Sequence, residues 1–127
     1  MAALKYSRQR EAIKQFLVNS HEHPTADTIY ASLRNEFPHI SLGTVYRNLS
    51  LLSEIGEITR IPTGDGPDRY DGDISQHGHF ICRHCHRIFD LDTGMIQSMS
   101  KEISEKYHVQ IDRCVTNMYG TCGSCTK

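Results

Sequence analysis

Apolar residues recur at steps of three and four through most of the first 56 residues, and this spacing predicts three amphipathic helices. Each helix is expected to bury one stripe and to expose the opposite face. The expected buried positions are Ile13, Phe16 and Leu17 in the first helix, Ile29, Tyr30, Leu33 and Phe37 in the second, and Leu42, Val45, Leu49, Leu52 and Ile55 in the third. The first half of the chain is therefore predicted to be helical.

Capping residues mark the expected ends of these helices. Ser7 and Ser41 precede the first and third helices, where a side-chain oxygen can accept a hydrogen bond from a free backbone amide. The second helix opens at residues 24–27 and stops at Pro38, because proline has no amide hydrogen to continue a helix. Gly56 suits the left-handed residue that ends the third helix.

A strand pattern follows the third helix. Residues 57–61 alternate between polar and apolar side chains, residues 62–68 are rich in glycine, proline and aspartate, and residues 69–71 can return as a second strand. Three helices followed by a hairpin are typical of a winged helix, in which the hairpin is the wing.

The second half of the chain has a different pattern. Residues 79–82 and 87–91 resemble two short strands joined across a Cys-x-x-Cys sequence, and residues 109–112 and 115–119 are also strand-like. One amphipathic helix lies between them, with the apolar stripe Met95, Ile96, Met99, Ile103 and Tyr107. The two halves together predict an α+β protein, an N-terminal winged helix followed by a small α/β domain.

Composition narrows the class of protein without identifying it. Apolar residues make up 38% of the 127 residues and charged residues 23%, as in soluble globular proteins. No apolar run is long enough to span a bilayer or to act as a signal peptide, so we expect the protein in the cytoplasm. The formal net charge of −1 gives no general attraction to nucleic acid, and any DNA contact must come from a locally basic face.

Four of the five cysteines form two Cys-x-x-Cys pairs, Cys82 with Cys85 and Cys122 with Cys125. In a reducing cytosol such pairs favour metal binding over disulfides, and four thiolates within tetrahedral reach are a ligand set of structural zinc. Zinc here would connect the end of the chain to the first hairpin of this half. A domain as small as this half usually needs a metal or another cross-link to be stable. A redox dithiol and unrelated surface thiols are the alternatives, although a redox motif needs only one pair.

Histidines and aspartates form a second, more dispersed candidate site. His77 and His79 are two residues apart, so in a strand both imidazoles lie on one face and can reach one ion. Asp71 lies before them, Asp90 after them and His23 far upstream. Nitrogen and oxygen ligands without sulfur favour ferrous iron, manganese or zinc over cuprous copper. The alternative is a solvated polar loop.

The third helix carries the candidate DNA contacts. Its face opposite the apolar stripe presents Thr44, Tyr46, Arg47 and Ser50, and Ser41 stands at its N-terminus. These groups can contact phosphates and base edges in a major groove. An ordinary solvated helix face has much the same composition, so this face alone does not establish DNA binding.

Four stretches of the sequence resemble, in order, the signature motifs of the ferric uptake regulator (Fur) family. They are His-Pro-Thr-Ala-Asp-Thr-Ile-Tyr at residues 23–30, Ser-Leu-Gly-Thr-Val-Tyr-Arg-Asn-Leu at 41–49, His-Gly-His-Phe-Ile-Cys-Arg-His-Cys at 77–85, and Tyr-Gly-Thr-Cys-Gly-Ser-Cys at 119–125. The likeness covers nearly the whole chain, and the order of the four motifs makes coincidence improbable.

The resemblance implies a metal-dependent repressor made of a DNA-binding winged helix (residues 1–70), a hinge (71–76) and a dimerisation and metal-binding domain (77–127). It implies a homodimer with structural zinc that binds a palindromic operator in double-stranded DNA. The DNA contacts that it implies are Ser41, Thr44, Tyr46 and Arg47. The ligands that it implies for a regulatory Fe(II) or Mn(II) ion are His23, Asp71, His77, His79 and Asp90.

Short carboxylates indicate the branch of the family. Asp71 and Asp90 resemble the peroxide-responsive members, since iron-responsive members usually carry glutamate at the position of Asp90, whereas Arg47 resembles the recognition helix of iron-responsive ones. We expect a peroxide sensor, in which hydrogen peroxide reacts at bound iron and oxidises His23 or His77, so that the repressor releases DNA irreversibly. An iron-responsive repressor without peroxide chemistry is the alternative.

Three positions depart from the pattern of many family members. Gln76, Gly78 and Cys114 stand where an additional sensing site would have two histidines and an aspartate, so that site is expected to be absent. Cys114 is also not one of the four predicted zinc ligands, and it is expected to be a buried or strand cysteine.

Two other classes of function compete with a repressor. In a metalloenzyme the histidines and aspartates would form a catalytic centre, but the sequence has no evident substrate pocket or dedicated acid–base pair. In a zinc-bound interaction module there would be no metal-dependent binding to DNA. We expect neither an enzyme nor a membrane partner, and no small-molecule substrate other than peroxide.

Overall fold

The computed structural model describes residues 5–64, 66–74 and 77–126. By its internal contacts the chain divides into two compact units, Met1–Ile74 and Ser75–Lys127. None of the helices in the described ranges is long and apolar enough to cross a membrane. The hinge expected at residues 71–76 includes Ser75 and Gln76, which lie outside the described residues, and it stays a prediction.

The first unit starts with three helices, α1 (Arg8–Val18), α2 (Ala26–Leu33) and α3 (Leu42–Glu54). Each begins at a capping hydroxyl: Ser7, Thr25 and Ser41 accept a hydrogen bond from the backbone N–H three residues ahead. After α3, Gly56 has a φ of 78°, a left-handed conformation that glycine adopts at little cost. The three predicted helices are confirmed.

The apolar stripes of these helices pack into one core. Its buried members are Ile13, Leu17, Ala26, Ile29, Leu33, Ile40, Val45, Leu49, Leu52, Ile58 and Tyr70. Phe16, Tyr30 and Phe37 are only partly buried against it. The predicted stripes therefore lie on the correct faces, although Leu42 of the third helix is also only partly buried.

The end of the second helix differs from the prediction. α2 ends at Leu33 instead of Pro38, residues 34–36 form a turn, and Phe37 donates its N–H to the Leu33 carbonyl at 2.9 Å. Proline disfavours the helical conformation in the residue before it, which is Phe37, so the chain has left the helix by that residue.

Ile55 is not part of the core, contrary to the prediction. Its side chain is 44% exposed, whereas Ile58 is only 1% exposed. Ile55 is the last residue before the turn at Gly56, and after that turn Ile58 packs into the core in its place.

The wing follows α3. Its strands β1 (Thr59–Ile61) and β2 (Arg69–Asp71) are antiparallel, with Arg60 opposite Tyr70. Tyr70 is buried in the helical core, and its N–H donates to the Pro24 carbonyl at 3.0 Å. The hairpin is therefore anchored to the helices, and the first unit is the predicted winged helix.

The second unit contains β3 (His79–Cys82), β4 (Ile88–Asp90), α4 (Thr93–Tyr107) and β5 (Asn117–Gly120). The sheet order is β4-β3-β5, with β4 antiparallel and β5 parallel to β3. Parallel pairing requires a long crossover, and here the crossover contains α4. This unit is the predicted small α/β domain.

No strand forms at residues 109–112, contrary to the prediction. α4 ends at His108, which has a left-handed φ of 55°, and Val109 donates its N–H to the Ser104 carbonyl at 3.2 Å. Val109 is thereby part of the C-terminal cap of the helix, so its N–H is not available to a strand partner. The strand predicted at residues 115–119 is present but begins at Asn117.

The apolar stripe of α4 is largely exposed in the single chain. Ile96 is buried, but Met95, Ile103 and Tyr107 are 69%, 40% and 62% exposed. Exposed apolar stripes of this kind are typical of surfaces that contact another protein. The sequence pattern thus predicted the stripe correctly, although most of it is not buried within this chain.

Candidate metal centres

The four cysteines of the two Cys-x-x-Cys pairs form a cluster in the second unit. Cys82 ends β3 and pairs with Gly120 of the parallel strand β5, which brings the chain after β5 next to the turn after β3. The sulfur atoms of Cys82, Cys85, Cys122 and Cys125 all lie within 4.8 Å of one another. Sulfurs about 2.3 Å from a zinc ion at tetrahedral angles would be about 3.8 Å apart. The sulfurs of Cys85 and Cys122 are 3.7 Å apart, which fits such an ion.

Backbone N–H groups stabilise the thiolate form of one of these sulfurs, that of Cys82. The N–H groups of Cys85 and Cys122 donate to the Cys82 sulfur at 3.5 and 3.4 Å and lower the pKa of Cys82 to about 5. The hydrogen bond to Cys122 raises the pKa of Cys125 to about 12. One part of the cluster therefore favours a thiolate and another keeps its proton. A divalent cation would stabilise all four thiolates together, so the donor set fits zinc.

Two histidines and one aspartate of the second unit also converge. The Nε2 atoms of His77 and His79 are 3.1 Å apart, and Oδ1 of Asp90 lies 3.4 and 3.3 Å from them. His79 is opposite Asp90 in the β3–β4 register, whereas His77 precedes the strand. The two imidazoles are almost fully buried. Two imidazole nitrogens this close require a proton or a cation between them.

The first unit contains the other two predicted ligands as a pair. Nε2 of His23 lies 3.3 Å from Oδ2 of Asp71, and both side chains are buried. Asp71 ends β2, and its other carboxylate oxygen accepts a hydrogen bond from the N–H of Asp73 at 2.9 Å. The carboxylate therefore has a defined orientation. Each unit thus presents its own group of converging nitrogen and oxygen ligands.

Arg69 is not among the sequence candidates, yet its guanidinium binds the backbone beside His23. It donates to the carbonyl of Glu22 at 2.8 Å and to the carbonyl of His23. The sequence does contain one signal for this role: Arg69 precedes Asp71 by two residues on one strand, and alternate residues of a strand face the same side.

The predicted DNA contacts lie at the N-terminal part of α3. Arg47 is exposed and donates to the Thr44 hydroxyl at 3.0 Å, and that hydroxyl lies 2.9 Å from the hydroxyl of Ser41. Tyr46 is 43% exposed. These side chains form one accessible polar surface, and their contact with DNA stays a prediction.

The structure describes the surroundings of Cys114 and Gly78, two of the three positions at which the additional sensing site is expected to be absent. Cys114 is half-buried outside the strands, with its sulfur 3.4 Å from the Thr116 hydroxyl, so it is neither the buried nor the strand cysteine that we expected. A Cβ added to Gly78 would lie 3.0 Å from the Leu91 side chain and 3.1 Å from the Thr116 carbonyl. A side chain at position 78 would therefore have to displace its neighbours. Gln76 lies outside the described residues.

Known proteins match the chain over almost its full length. Residues 1–119 match the model of the ferric uptake regulator family. The peroxide-responsive repressor PerR of Staphylococcus aureus is 33% identical over 124 residues, which cover 98% of this chain and 84% of that protein. The solved structure of the Campylobacter jejuni peroxide stress regulator has a TM-score of 0.81 and 30% identity, and the match covers 92% of this chain and 88% of that one. For the ferric uptake regulator Fur of Helicobacter pylori, the TM-score is 0.81 and the identity 28%, over 98% of this chain and 83% of that one.

A winged helix followed by an α/β unit, with groups of side chains in both that could hold a metal ion, is the architecture of a metal-dependent transcription regulator. The chain belongs to the ferric uptake regulator family. This membership confirms the resemblance of the four sequence motifs and agrees with the predicted α+β architecture.

Proposed function

We propose that this protein is a homodimeric repressor that binds a palindromic operator when a regulatory Fe(II) or Mn(II) ion is bound, and that hydrogen peroxide inactivates the iron form. The four cysteines would hold structural zinc. The observation that carries the proposal is the convergence of His23 with Asp71, and of His77 with His79 and Asp90. An iron-responsive repressor without peroxide chemistry is the second candidate.

The regulatory ion would take nitrogen from three imidazoles and oxygen from two carboxylates, a set that suits Fe(II) and Mn(II). Two ligand atoms about 2.1 Å from one ion at right angles lie about 3.0 Å apart. The ligand atoms within each group are 3.1 to 3.4 Å apart, so a small movement would allow each group to bind one ion. This spacing supports both groups as metal ligands.

Binding of one ion by both groups would make DNA affinity depend on metal. If the two units can adopt two arrangements, an ion that binds one of them more tightly shifts the population toward that arrangement. The size of the shift is the ratio of the two affinities. In a dimer that arrangement determines the distance between the two α3 helices, which must match half-sites about 34–36 Å apart. Metal-bound protein would then bind the operator, and metal-free protein would bind it poorly.

When held by these ligands, Fe(II) would supply the redox chemistry that activates hydrogen peroxide, with no net change in its own oxidation state. His23 and His77 each lie beside a ligand carboxylate and are the expected targets. One peroxide oxygen would be transferred to a carbon of the imidazole ring, whose C–H would become C–OH, and the other oxygen would leave as water, so the ring would lose two electrons and the peroxide would gain them. The oxidised ring no longer binds the ion, and the operator is released. Each chain reacts once, unlike an enzyme.

Two observations favour peroxide sensing over iron sensing. Both carboxylate ligands are aspartates, Asp71 and Asp90, as expected for the peroxide-responsive branch. The Staphylococcus aureus and Campylobacter jejuni relatives are peroxide regulators at 33% and 30% identity. Arg47 is the residue that favours the second candidate.

The dimer would form through the second unit. Within the described part of the chain, β5 pairs only with β3 and is an edge strand of the sheet. Met118 on β5 is 49% exposed, and Ile103 and Tyr107 on α4 are 40% and 62% exposed. A strand edge and an apolar helix face are surfaces that a second copy of the chain can cover.

Mass spectrometry separates the two candidates. Zinc-loaded protein, purified without oxygen, is loaded with Fe(II) or Mn(II) and treated with stoichiometric hydrogen peroxide. In the Fe(II) form we expect about 16 Da, one oxygen atom, to be added to a tryptic peptide containing His23 or His77, together with loss of operator binding. The Mn(II) form should resist, and the exposed His39 should stay unmodified in both. If His23 and His77 stayed intact while DNA binding followed iron concentration, the protein would be iron-responsive.

A further inference from the structure

His23 has a left-handed backbone, with a φ of 54°. Residues with a Cβ disfavour this conformation and keep it only where neighbouring groups hold them in it. In this conformation the imidazole of His23 lies 3.3 Å from the carboxylate of Asp71. The contacts around residues 22–24 therefore determine whether this ligand is correctly oriented.

Arg69 makes the contacts that hold this loop. Its Nη2 donates to the Glu22 carbonyl at 2.8 Å, and its Nε donates to the His23 carbonyl. One planar guanidinium thus binds two successive carbonyls of the loop. Lysine has the same charge, but its single ammonium lacks the fixed fork of donors that this geometry uses.

The strand that carries Arg69 also carries the second ligand of the first unit. β2 runs from Arg69 to Asp71, and between them the N–H of Tyr70 donates to the Pro24 carbonyl at 3.0 Å. Thr25 forms an isolated bridge with Arg69. The loop is therefore bound to β2 on both sides of His23. His23 and Asp71, the two proposed ligands of this unit, are thus both positioned by β2.

We propose that Arg69 is a positioning residue of the regulatory metal site, whose guanidinium holds the Glu22 and His23 carbonyls against β2 and orients His23 toward Asp71 before metal binds. This inference rests on the proposed regulatory role of His23 and Asp71. Without the guanidinium the loop would relax to ordinary backbone conformations. Metal binding would then have to order the loop again, which lowers affinity.

Metal titration of zinc-loaded protein tests this role. Arg69→Met keeps the apolar stem and removes both donors, whereas Arg69→Lys keeps the charge and some hydrogen-bonding capacity. Arg60→Ala is the matched control, because Arg60 lies on the neighbouring strand and forms an exposed ion pair with Asp68. We expect Mn(II) affinity to fall about tenfold or more in Arg69→Met, to fall less in Arg69→Lys and to stay unchanged in Arg60→Ala. Cysteine-bound zinc should be retained in all three.

Hydrogen exchange in the protein without regulatory metal gives a second, independent readout. In Arg69→Met the amide of Tyr70, which donates to the Pro24 carbonyl of the loop, should exchange at least about tenfold faster, while amides of α3 keep their protection. Lost protection in α3 would mean that the variant unfolds the whole unit, and unchanged exchange at Tyr70 would mean that Arg69 does not hold the loop. Either result would overturn the positioning role.

His23→Ala distinguishes failure of this inference from failure of the proposed function. If His23→Ala left Mn(II) affinity unchanged, the proposed regulatory site would be wrong. If His23→Ala weakened Mn(II) binding while Arg69→Met retained the affinity of the unmodified protein, the regulatory site would stand and the role of Arg69 would be rejected.

Discussion

At the scale of single residues, a hydrogen bond within α3 orders the Arg47 side chain in the protein without DNA. Its guanidinium donates to the Thr44 hydroxyl at 3.0 Å, and Thr44 lies 2.9 Å from the Ser41 hydroxyl that caps α3. A side chain that is already ordered loses less rotamer freedom when it binds a base or a phosphate. Arg47 is therefore the strongest single candidate for operator recognition.

Replacing Arg47 with alanine should weaken operator binding by about 1–3 kcal/mol at matched salt, the usual contribution of a good base contact. Fluorescence anisotropy with the Mn(II)-loaded protein measures the change, and metal content should stay the same. Arg113→Ala, which removes an equal charge from an exposed site in the second unit, is the control. Unchanged affinity in Arg47→Ala would move recognition away from α3, and equal losses in both variants would indicate a general charge effect.

At the scale of elements, the strands of the second unit bring the four cysteines of the two Cys-x-x-Cys pairs together. β3 ends at Cys82, and the parallel strand β5 ends two residues before Cys122. The buried apolar residues of this unit within the described ranges are Ile81, Cys82, Ile96 and Cys122. Because this apolar core is small and two of its members are proposed zinc ligands, the free energy of zinc binding would be largely free energy of folding.

Cys82→Ser and Cys125→Ser should each remove about one zinc ion per chain and lower the thermal stability of the second unit. Elemental analysis and thermal unfolding measure the two effects. Cys114→Ser makes the same chemical change outside the cluster and should retain zinc. Full zinc content and unchanged stability in either cluster variant would show that the cysteines do not form a structural zinc site.

At the scale of the whole molecule, apolar side chains that are exposed in the single chain favour association with a second copy. The exposed stripe on α4 and the edge strand β5 belong to the same unit in the described part of the chain. A domain rarely leaves both kinds of surface uncovered, because each promotes uncontrolled association. A second copy that covers them would also bring two winged helices to one operator.

Ile103→Glu places a charge in the α4 stripe and should raise the dissociation constant of the dimer by at least about tenfold, or about 1.4 kcal/mol. Gln97→Glu adds the same charge at an exposed position of the same helix and is the control. Sedimentation equilibrium of the zinc-loaded protein compares the two. A dimer that is equally stable in both variants would place the interface elsewhere.

The sequence by itself determined those features that depend on near neighbours along the chain. Ser7, Thr25 and Ser41 cap helices because each hydroxyl reaches an amide only three residues away. The apolar stripe of α3 and the hairpin after Gly56 likewise follow from local periodicity and turn residues. The two Cys-x-x-Cys pairs could be predicted as one cluster because zinc has few ligand sets and a preferred geometry.

Only the tertiary structure decided the features that depend on distant residues. The parallel pairing of β5 with β3 brings Cys122 to Cys82, and no local signal distinguishes it from antiparallel pairing. Arg69 reaches the carbonyls of Glu22 and His23, which are 47 and 46 residues away along the chain. The stripe of α4 has the periodicity of a buried face, but periodicity does not say whether its own chain or a second copy covers it. Side-chain spacing along one element specifies which residues face the same way, whereas the partner that they meet depends on how the whole chain packs.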